Sequence, residues 1–294
     1  MLTKTTMLQF FNNQFFGISY SGLQNFIYLA ASHHPVEKKI MIFLTWLRIN
    51  LKFLLIANFL SLKSEKIFGY KINAFSYSSL RFLYEEIFYR NEYFFKSFNN
   101  RPMIFDCGAN IGLATVFFKW LYPESIIYAF EPDPETFILL KKNVRQNKLK
   151  NVHLFNTAIS NVNGKIDFFI DSKNPGSLIM SSRRERMPKD LITVDSITLS
   201  SFIQDKKIQR IDFLKMDIEG AEEEAIQDLS NKDQLKKLNK MVIEYHHKIS
   251  GYKSNLSRFV RYFEKNGFEY QINAKCVPVN SENKFQDILL YLYK

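Results

Sequence analysis

"MIFDCGANIG", residues 103–112, is the stretch on which the fold turns. A short apolar run ends in Asp106, and Gly108 and Gly112 follow with Asn110 between them. Apolar residues that stop at glycines read as a buried strand turning sharply into a helix, because glycine lets the backbone bend tightly and approach a ligand closely. Strands and helices alternate from here onward. "MIFDC" reads as a strand and 111–121 as a helix stopped before Pro123. "SIIYAFEP" is a second strand, and "PETFILLKKNVRQN" is a helix opened by Pro134, a position where proline is well tolerated. "NVHLFN" is a third strand, "GKIDFFID" half of a hairpin, and a polar loop covers 171–190 before the strand-like "LITVD". "RIDFLKMD" is the fourth main strand, a helix starts near 220, and "KMVIEYH" is the fifth. A helix over 255–266 ends at Gly267, and "FEYQIN" and "DILLYLY" close the chain. Alternation at this spacing predicts an α/β, doubly wound, mostly parallel sheet. The last two strands have no helix between them and predict an antiparallel pair at one edge.

Working back toward residue 1, the pattern changes. Residues 1–100 read as a mainly helical extension with one strand, and 101–294 as the catalytic-type domain. The first 62 residues are Phe-rich and helical, broken by "SHHPVEKK", where His33 and His34 sit beside Pro35 and suit a loop or cap. "KIFGYKINAF", 66–75, alternates like a strand, and 76–95 has helical spacing after a polar start at Ser76. "IMIFLTWLRINLKFLLIANFL", 40–60, has the roughly 20 residues a membrane span needs. Arg48, Asn50, Lys52 and Asn58 interrupt it, and each charge at a bilayer centre costs about 2.5–3.5 kcal/mol. Such a helix either packs on its own domain or lies on a membrane surface.

Charge and cysteines narrow the setting. The net charge is +11, with 11 Lys/Arg against 5 Asp/Glu in residues 1–100 and 29 against 24 in the remainder. The basic N-terminal third suits an anionic membrane surface or an acidic substrate, and it also occurs in ordinary basic proteins. Cys107 and Cys276 make neither a disulfide framework nor a metal cluster, and they suit a reduced, cytoplasmic enzyme. The first 20 residues lack the pattern of a signal peptide.

In an open parallel sheet, ligands bind beyond the C-terminal ends of the strands. The N–H groups near Ala109 and Asn110 are placed to receive an anion at a helix start, and Gly112 to let that helix pack close to the sheet. A dinucleotide fingerprint, G-x-G-x-x-G, fails at two of three positions, because Asp106 and Ile111 stand where glycines belong. A P-loop is absent. A carboxylate beside the turn repels pyrophosphate and welcomes an ammonium. S-adenosylmethionine carries an amino acid and no phosphate, so its carboxylate suits the backbone donors and its amine suits Asp106. Glu131 ends the second strand, where a carboxylate accepts from both ribose hydroxyls, as it also would in a dinucleotide enzyme or as a plain helix-start acid.

Taken in order, "IFDCGANIG", "AFEPDPETFILLKKN", "NVHLFNTAISNVNGKIDFF", "IDFLKMDIEGAE" and "VIEYHH" resemble the FkbM family of class I S-adenosylmethionine-dependent methyltransferases. The resemblance covers about 103–250. It implies a seven-stranded Rossmann-like sheet with a reversed last hairpin, and O-methylation of a hydroxyl. It further implies that Asp106, Gly108, Ala109 and Asn110 hold the methionine end of the cofactor and Glu131 with Pro132 the ribose end. Asn156, Thr157 and Ala158 would border the adenine, without the acid many methyltransferases place there.

Methyl transfer is an in-line displacement that requires an acceptor oxygen roughly 3–3.5 Å from the methyl carbon, and a hydroxyl acceptor requires a base. Asp217 and Glu219 end the fourth strand; Glu244, His246 and His247 end the fifth. Neighbouring strands would bring these together, with Glu244 and His246 on one face and His247 on the other. The structural alternatives are acids offsetting a helix dipole at 217–222 and a hydrogen-bonded core histidine. His153, alone on its strand, reads as structural. Two carboxylates and a histidine suit Mg²⁺ or Mn²⁺, but the spacing carries no ligand signature and no metal is assigned. The basic loop "SSRRERMPKD", 181–190, with Arg183, Arg184 and Arg186, suits an acidic sugar or phosphate, or else plain solvation. The expected acceptor is a glycan, a lipid-linked sugar or a small molecule, with no nucleic acid, and with peripheral membrane contact through 40–60. The competing functions are an RNA methyltransferase and a non-catalytic membrane-associated binding protein on the same fold.

Overall fold

The computed structural model describes Gly22, residues 26–57, 60–171, Ser181, 190–247, Ile249, 255–274 and 286–294. The basic segment 182–189 with its three arginines, and Cys276, lie outside these residues. The chain forms two compact units, Met1–Phe94 and Phe95–Lys294.

In the first unit, helix α1 (Val36–Lys52) runs on as a π-helical stretch to Ala57. Strands β1 (Ser64–Ile67) and β2 (Tyr70–Asn73) pair antiparallel. The single strand expected over 66–75 is therefore a hairpin turn and its second strand. Phe68 (φ 48°) and Gly69 (φ 93°) form the two-residue turn, and positive φ at both positions matches the twist of the flanking strands. Helix α2 (Tyr77–Tyr84) continues as a π-helical stretch to Tyr89. Ser76 caps it, accepting from the Ser79 N–H at 3.0 Å. The expected end at 95 comes early, with Asn91 at φ 61° outside the helix. His34 packs edge-on to Phe94 and meets Asn91 Oδ1 at 2.9 Å, a structural role for the histidine beside Pro35.

Three of the interruptions in 40–60, Arg48, Asn50 and Lys52, have partners, and Asn58 lies outside the described residues. Glu65 is buried and receives Lys52 Nζ at 2.9 Å and Tyr77 Oη at 2.6 Å, with Arg48 at 3.5 Å. Asn50 Oδ1 accepts from Arg81 at 3.0 Å. One face of α1 thus packs on its own unit through Ile42, Trp46 and Ile49, while Ile40, Leu44, Leu47, Leu51 and Leu55 stay exposed. Val36–Ala57 is long and apolar enough to cross a membrane by length and composition.

The second unit carries the sheet. Its elements are β3 (Met103–Cys107), α3 (Leu113–Leu121), β4 (Ile126–Phe130), α4 (Pro134–Gln146), β5 (Val152–Phe155), β6 (Ala158–Ile159), β7 (Gly164–Ile170) and β8 (Asp190–Ile197). There follow α5 (Leu199–Asp205), β9 (Ile211–Met216), α6 (Glu222–Asn231), β10 (Leu238–His247), α7 (Leu256–Lys265), β11 (Glu269–Ala274) and β12 (Gln286–Tyr293). Seven strands form one sheet in the order β11-β12-β10-β9-β3-β4-β5. Only β12 runs against the rest, pairing antiparallel with both β10 and β11. β6, β7 and β8 make a separate three-stranded sheet, in which "GKIDFFID" pairs with "LITVD". Helix α5, which the sequence reading lacks, is short and capped by Thr198, whose Oγ1 accepts from the Ser201 N–H at 3.2 Å.

Every residue of β9 is buried, as a central parallel strand covered on both faces requires. Phe105, Phe130, Phe155 and Phe202 pack ring to ring beside it, with centroids 5.0–5.9 Å apart. The chain moves outward from β3 to β4 and β5, then returns to β9 and β10 on the other side. The order therefore reverses between β3 and β9, and their C-terminal ends open the crevice where such sheets bind ligands.

Candidate active site

The glycine turn stands at this reversal. Gly108 lies at φ 76°, and a Cβ there would fall 1.8 Å from the Asp217 carbonyl oxygen, so only glycine allows the β3 and β9 ends to meet. Gly112, at φ 87°, faces Leu140 Cδ1, which a Cβ would approach to 2.6 Å. Its close packing is thus against α4, rather than against the sheet.

The backbone donors of the turn are all engaged within the chain, and this corrects the expected anion seat. Gly108 and Ala109 donate to the Phe130 carbonyl at 3.0 and 2.9 Å. The Asn110 N–H donates to Glu131 Oε2 at 2.8 Å, the Ile111 N–H to Asn110 Oδ1 at 2.7 Å, and the Gly112 N–H to the Ala109 carbonyl at 2.9 Å. The physical reason is register. β3 and β4 end side by side, with Cys107 opposite Phe130, so the turn closes on the next strand's carbonyl and carboxylate.

Glu131 is buried and also accepts from the Asp133 N–H at 3.1 Å. Burial pushes its carboxyl up to about 8, against the pull of those two N–H groups. Pro132 follows it, and its carbonyl, like that of Glu131, accepts from Asn156 Nδ2 at 2.9 Å. Asn156 is exposed and ties the β4 and β5 ends together. Thr157 Oγ1 donates to the Asp195 carbonyl at 3.0 Å, and Ala158 is buried in β6.

Asp106 lies wholly beneath the turn. Its Oδ2 accepts from Thr115 Oγ1 at 2.6 Å, and its Oδ1 has Lys215 Nζ at 3.8 Å but no hydrogen-bond partner. Lys215 stands directly opposite Asp106 in the sheet register. Its Nζ donates to the Gly108 carbonyl at 2.5 Å and lies 3.5 Å from Asp217 Oδ2. Burial lowers the lysine pKa, and Asp217, Asp106 and Glu244 outweigh that and raise it, so the ammonium persists. Burial also raises the Asp106 carboxyl above the ordinary range despite Lys215 and Thr115. The Cys107 thiol, fully buried, is pushed far up as well.

A second cluster forms where β9 and β10 end. His246 is buried, with Nδ1 2.8 Å from Glu222 Oε1. Its Nε2 faces Glu219 Oε2 at 3.2 Å, Asp217 Oδ1 at 3.8 Å and Asp287 Oδ1 at 3.8 Å. Burial disfavours the imidazolium, but Glu222 and Glu219 outweigh it and hold the histidine pKa well above its usual range. Glu222 is correspondingly lowered by His246 against its own burial. Glu219 adopts φ 57°, a left-handed conformation that costs a non-glycine residue about 1–2 kcal/mol. It is held there by Ser181 Oγ, which donates to the Glu219 carbonyl, and by Glu222 Oε1, which accepts from Gly220 N–H at 2.9 Å. Glu244 stands on the His246 side of β10, whereas His247 packs beside Tyr245 on the other. His153 stacks on Tyr128 at 5.0 Å, away from both clusters.

The sequence reading thus brings Asp217, Glu219, Glu244 and His246 to one place, and Asp106, Gly108, Asn110 and Glu131 to another beside it. It misses Thr115, Lys215, Asp287 and the histidine-facing role of Glu222. Lys215 carries a usable signal, a lysine amid the apolar residues of "DFLKM" two positions before Asp217. Asp287 carries none, because it reaches the site only through antiparallel pairing opposite His246.

The strand ends offer carboxylates and carbonyls, with the donors of the turn consumed. That chemistry suits a cofactor without phosphates. Glu131 stands at the β4 end, where ribose hydroxyls would reach, and Asp106 is buried with its Oδ1 facing Lys215 rather than open to an amine, so it is the lack of free anion donors that fits S-adenosylmethionine over a dinucleotide.

Comparison with known proteins agrees with this fit. Residues 106–270 match the methyltransferase FkbM domain. The chain is 27% identical over 169 residues to "Methyltransferase 1" of Beauveria bassiana, covering 52% of this chain and 68% of that one. It is 29% identical over 157 residues to "2-O-methyltransferase NoeI" of Sinorhizobium fredii, covering 49% and 63%. The crystal structure of methyltransferase FkbM from Methylobacillus flagellatus aligns with a TM-score of 0.46 at 15% identity, over 92% of this chain and 58% of that one. The methyl donor of the family is S-adenosylmethionine. With the domain matched over more than half of its length, the chain belongs to the FkbM family of methyltransferases.

Proposed function

We propose that the protein O-methylates a hydroxyl on a glycan, a lipid-linked sugar or a small molecule. The observation that carries this reading is the convergence of Asp217, Glu219 and His246 beside the glycine turn, at the end of β9, which registers directly with β3, and of β10, which registers with β9. S-adenosylmethionine supplies an electrophilic methyl group on a sulfonium. Asp106, Gly108, Ala109 and Asn110 shape its methionine end, Glu131 and Pro132 its ribose end, and Asn156 to Ala158 border its adenine. Lys215 locks Gly108 to Asp217, so the cofactor turn and the acceptor side keep a fixed spacing, and positioning supplies much of the rate in such a displacement. Asp217 and Glu219 are the partly exposed groups of the second cluster, placed to accept a hydrogen bond from the acceptor hydroxyl, while His246, with Glu244 beside it, orients them from beneath. The 2-O-methylation for which NoeI is named supports oxygen as the target.

The acceptor is proposed to be met at an anionic membrane surface, in a cytoplasmic setting. Ile40, Leu44, Leu47, Leu51 and Leu55 form one exposed stripe of α1 and its π-helical continuation, each 39–63% accessible. Residues 1–94 carry 10 Lys/Arg against 5 Asp/Glu, a net +5 that complements anionic lipid.

The test is incubation with isotopically labelled S-adenosylmethionine and glycan, lipid or RNA extracts, followed by mass spectrometry. A gain of one methyl group on a glycan or lipid-linked hydroxyl is expected, with turnover lost in Asp217→Asn while cofactor affinity holds. Label confined to RNA would overturn the reading.

A further inference from the structure

The surroundings of His246 Nε2 are over-supplied with acceptors. One N–H can satisfy one carboxylate, yet three carboxylate oxygens face this nitrogen, at 3.2, 3.8 and 3.8 Å. Charge-assisted N–H···O bonds are about 2.7–2.9 Å long, and 3.8 Å is beyond hydrogen bonding. The spacing fits another arrangement. Donors that share an ion through bonds of about 2.1 Å lie roughly 3.0 Å apart when adjacent and about 4.2 Å apart when opposite. The donor atoms of Asp217, Glu219 and His246 all lie within 4.8 Å of one another.

We propose that Asp217, Glu219 and His246 Nε2 bind one divalent cation of the Mn²⁺ type, leaving open positions for water and the acceptor oxygen. Two hard carboxylates favour Mg²⁺ or Mn²⁺, and the imidazole tips the choice toward Mn²⁺. The other side of the ring is arranged as metal-binding histidines are. Glu222 holds Nδ1 at 2.8 Å, fixing the ring plane and directing Nε2 into the cluster. The left-handed backbone of Glu219 turns its carboxylate toward the same point. Asp287 and Glu244 flank the ring as a second acidic group. Lys215, 3.5 Å from Asp217 Oδ2, offsets part of the negative charge without occupying Asp217 Oδ1. Resting on the methyl-transfer reading for its purpose alone, the ion would bind the acceptor oxygen and ease loss of its proton.

The experiment uses the full chain, stripped with chelator and dialysed, without methyl donor or acceptor. Mn²⁺ is titrated and followed by calorimetry and by loss of the free-ion electron paramagnetic resonance signal. One saturable site per chain is expected. Asp217→Asn and Glu219→Gln should each weaken it at least tenfold, and the positioning variant Glu222→Gln by 10–100-fold. Asp233→Asn, an exposed carboxylate beyond α6, should bind as wild type and control for general charge loss. Circular dichroism keeps misfolded variants out of the comparison. No saturable Mn²⁺ binding by the wild type, or binding unchanged in both Asp217→Asn and Glu219→Gln, would overturn the site and leave the imidazole proton as the sole bridge. Because binding is read without turnover, that result leaves methyl transfer standing, and a chain that binds Mn²⁺ yet methylates nothing overturns only the latter.

Discussion

Glu131 shows how one side chain can join stability to ligand choice. Its carboxyl bridges the Asn110 and Asp133 N–H groups and lies out of water. Burial keeps a proton on it up to about pH 8 in the folded chain, whereas the unfolded chain releases that proton near 4.5. The folded state therefore binds more protons through this window, and its stability falls as pH rises. For one proton the limiting slope is about 1.4 kcal/mol per pH unit. Urea denaturation of Glu131→Gln beside the wild type, from pH 5 to 8, should show the difference moving in favour of the variant as pH rises, at up to that slope. A difference independent of pH would mean that the two N–H groups already keep the carboxylate ionised. At this scale the sequence shows residue types well and contacts poorly. Glu131 and His246 are legible because each ends a strand. The engagement of the Asn110 N–H by Glu131 is invisible in one dimension, since it depends on the register between β3 and β4.

Elements meet through a few fixed contacts, and the pair α3 and α4 supplies a clean one. Gly112 precedes α3 with φ 87°, and its missing Cβ leaves room for Leu140 of α4. Gly112→Ala adds backbone strain of about 1–2 kcal/mol and a clash with a side-chain end that can give way. Leu140→Ala opens a cavity at a fully buried position, about 2–5 kcal/mol. The double variant should cost less than the sum, because the new methyl enters space that Leu140 vacates. Strict additivity in a denaturation cycle would show that strain alone acts at Gly112. The main strands and helices were readable from their periodicity. The hairpin at 64–73 was not, because "FG" carries a two-residue turn without the Asn-Gly or Asp-Gly signature and leaves the alternation of the flanking strands unbroken. Helix α5 escaped because seven residues hold too few turns to show a period.

For the molecule as a whole, the proposed membrane contact belongs to the first unit. Arg48, Asn50 and Lys52, which break up 40–60 in the sequence, face Glu65 and Arg81. Sedimentation with vesicles containing about a quarter anionic lipid should carry the full chain down, with less binding at high salt as screening weakens the basic contribution. Leu44→Gln combined with Leu51→Gln, both at exposed positions, should cut vesicle binding several-fold while leaving the denaturation midpoint nearly unchanged. Equal binding to purely zwitterionic vesicles would remove the electrostatic half of the proposal, and no binding to either would remove all of it.

Cys107 gives the sheet a built-in clock. Its thiol is enclosed at the end of β3, one residue before the turn, and burial holds it in the unreactive protonated form. A water-borne thiol reagent can reach it only while the β3 end is open. In a Cys276→Ser background, the labelling rate at Cys107 therefore counts the openings of the central sheet beneath the methyl-donor turn. A ligand that clamps that turn lengthens the interval between openings, so binding becomes visible as elapsed time, with no turnover and no knowledge of what receives the methyl group.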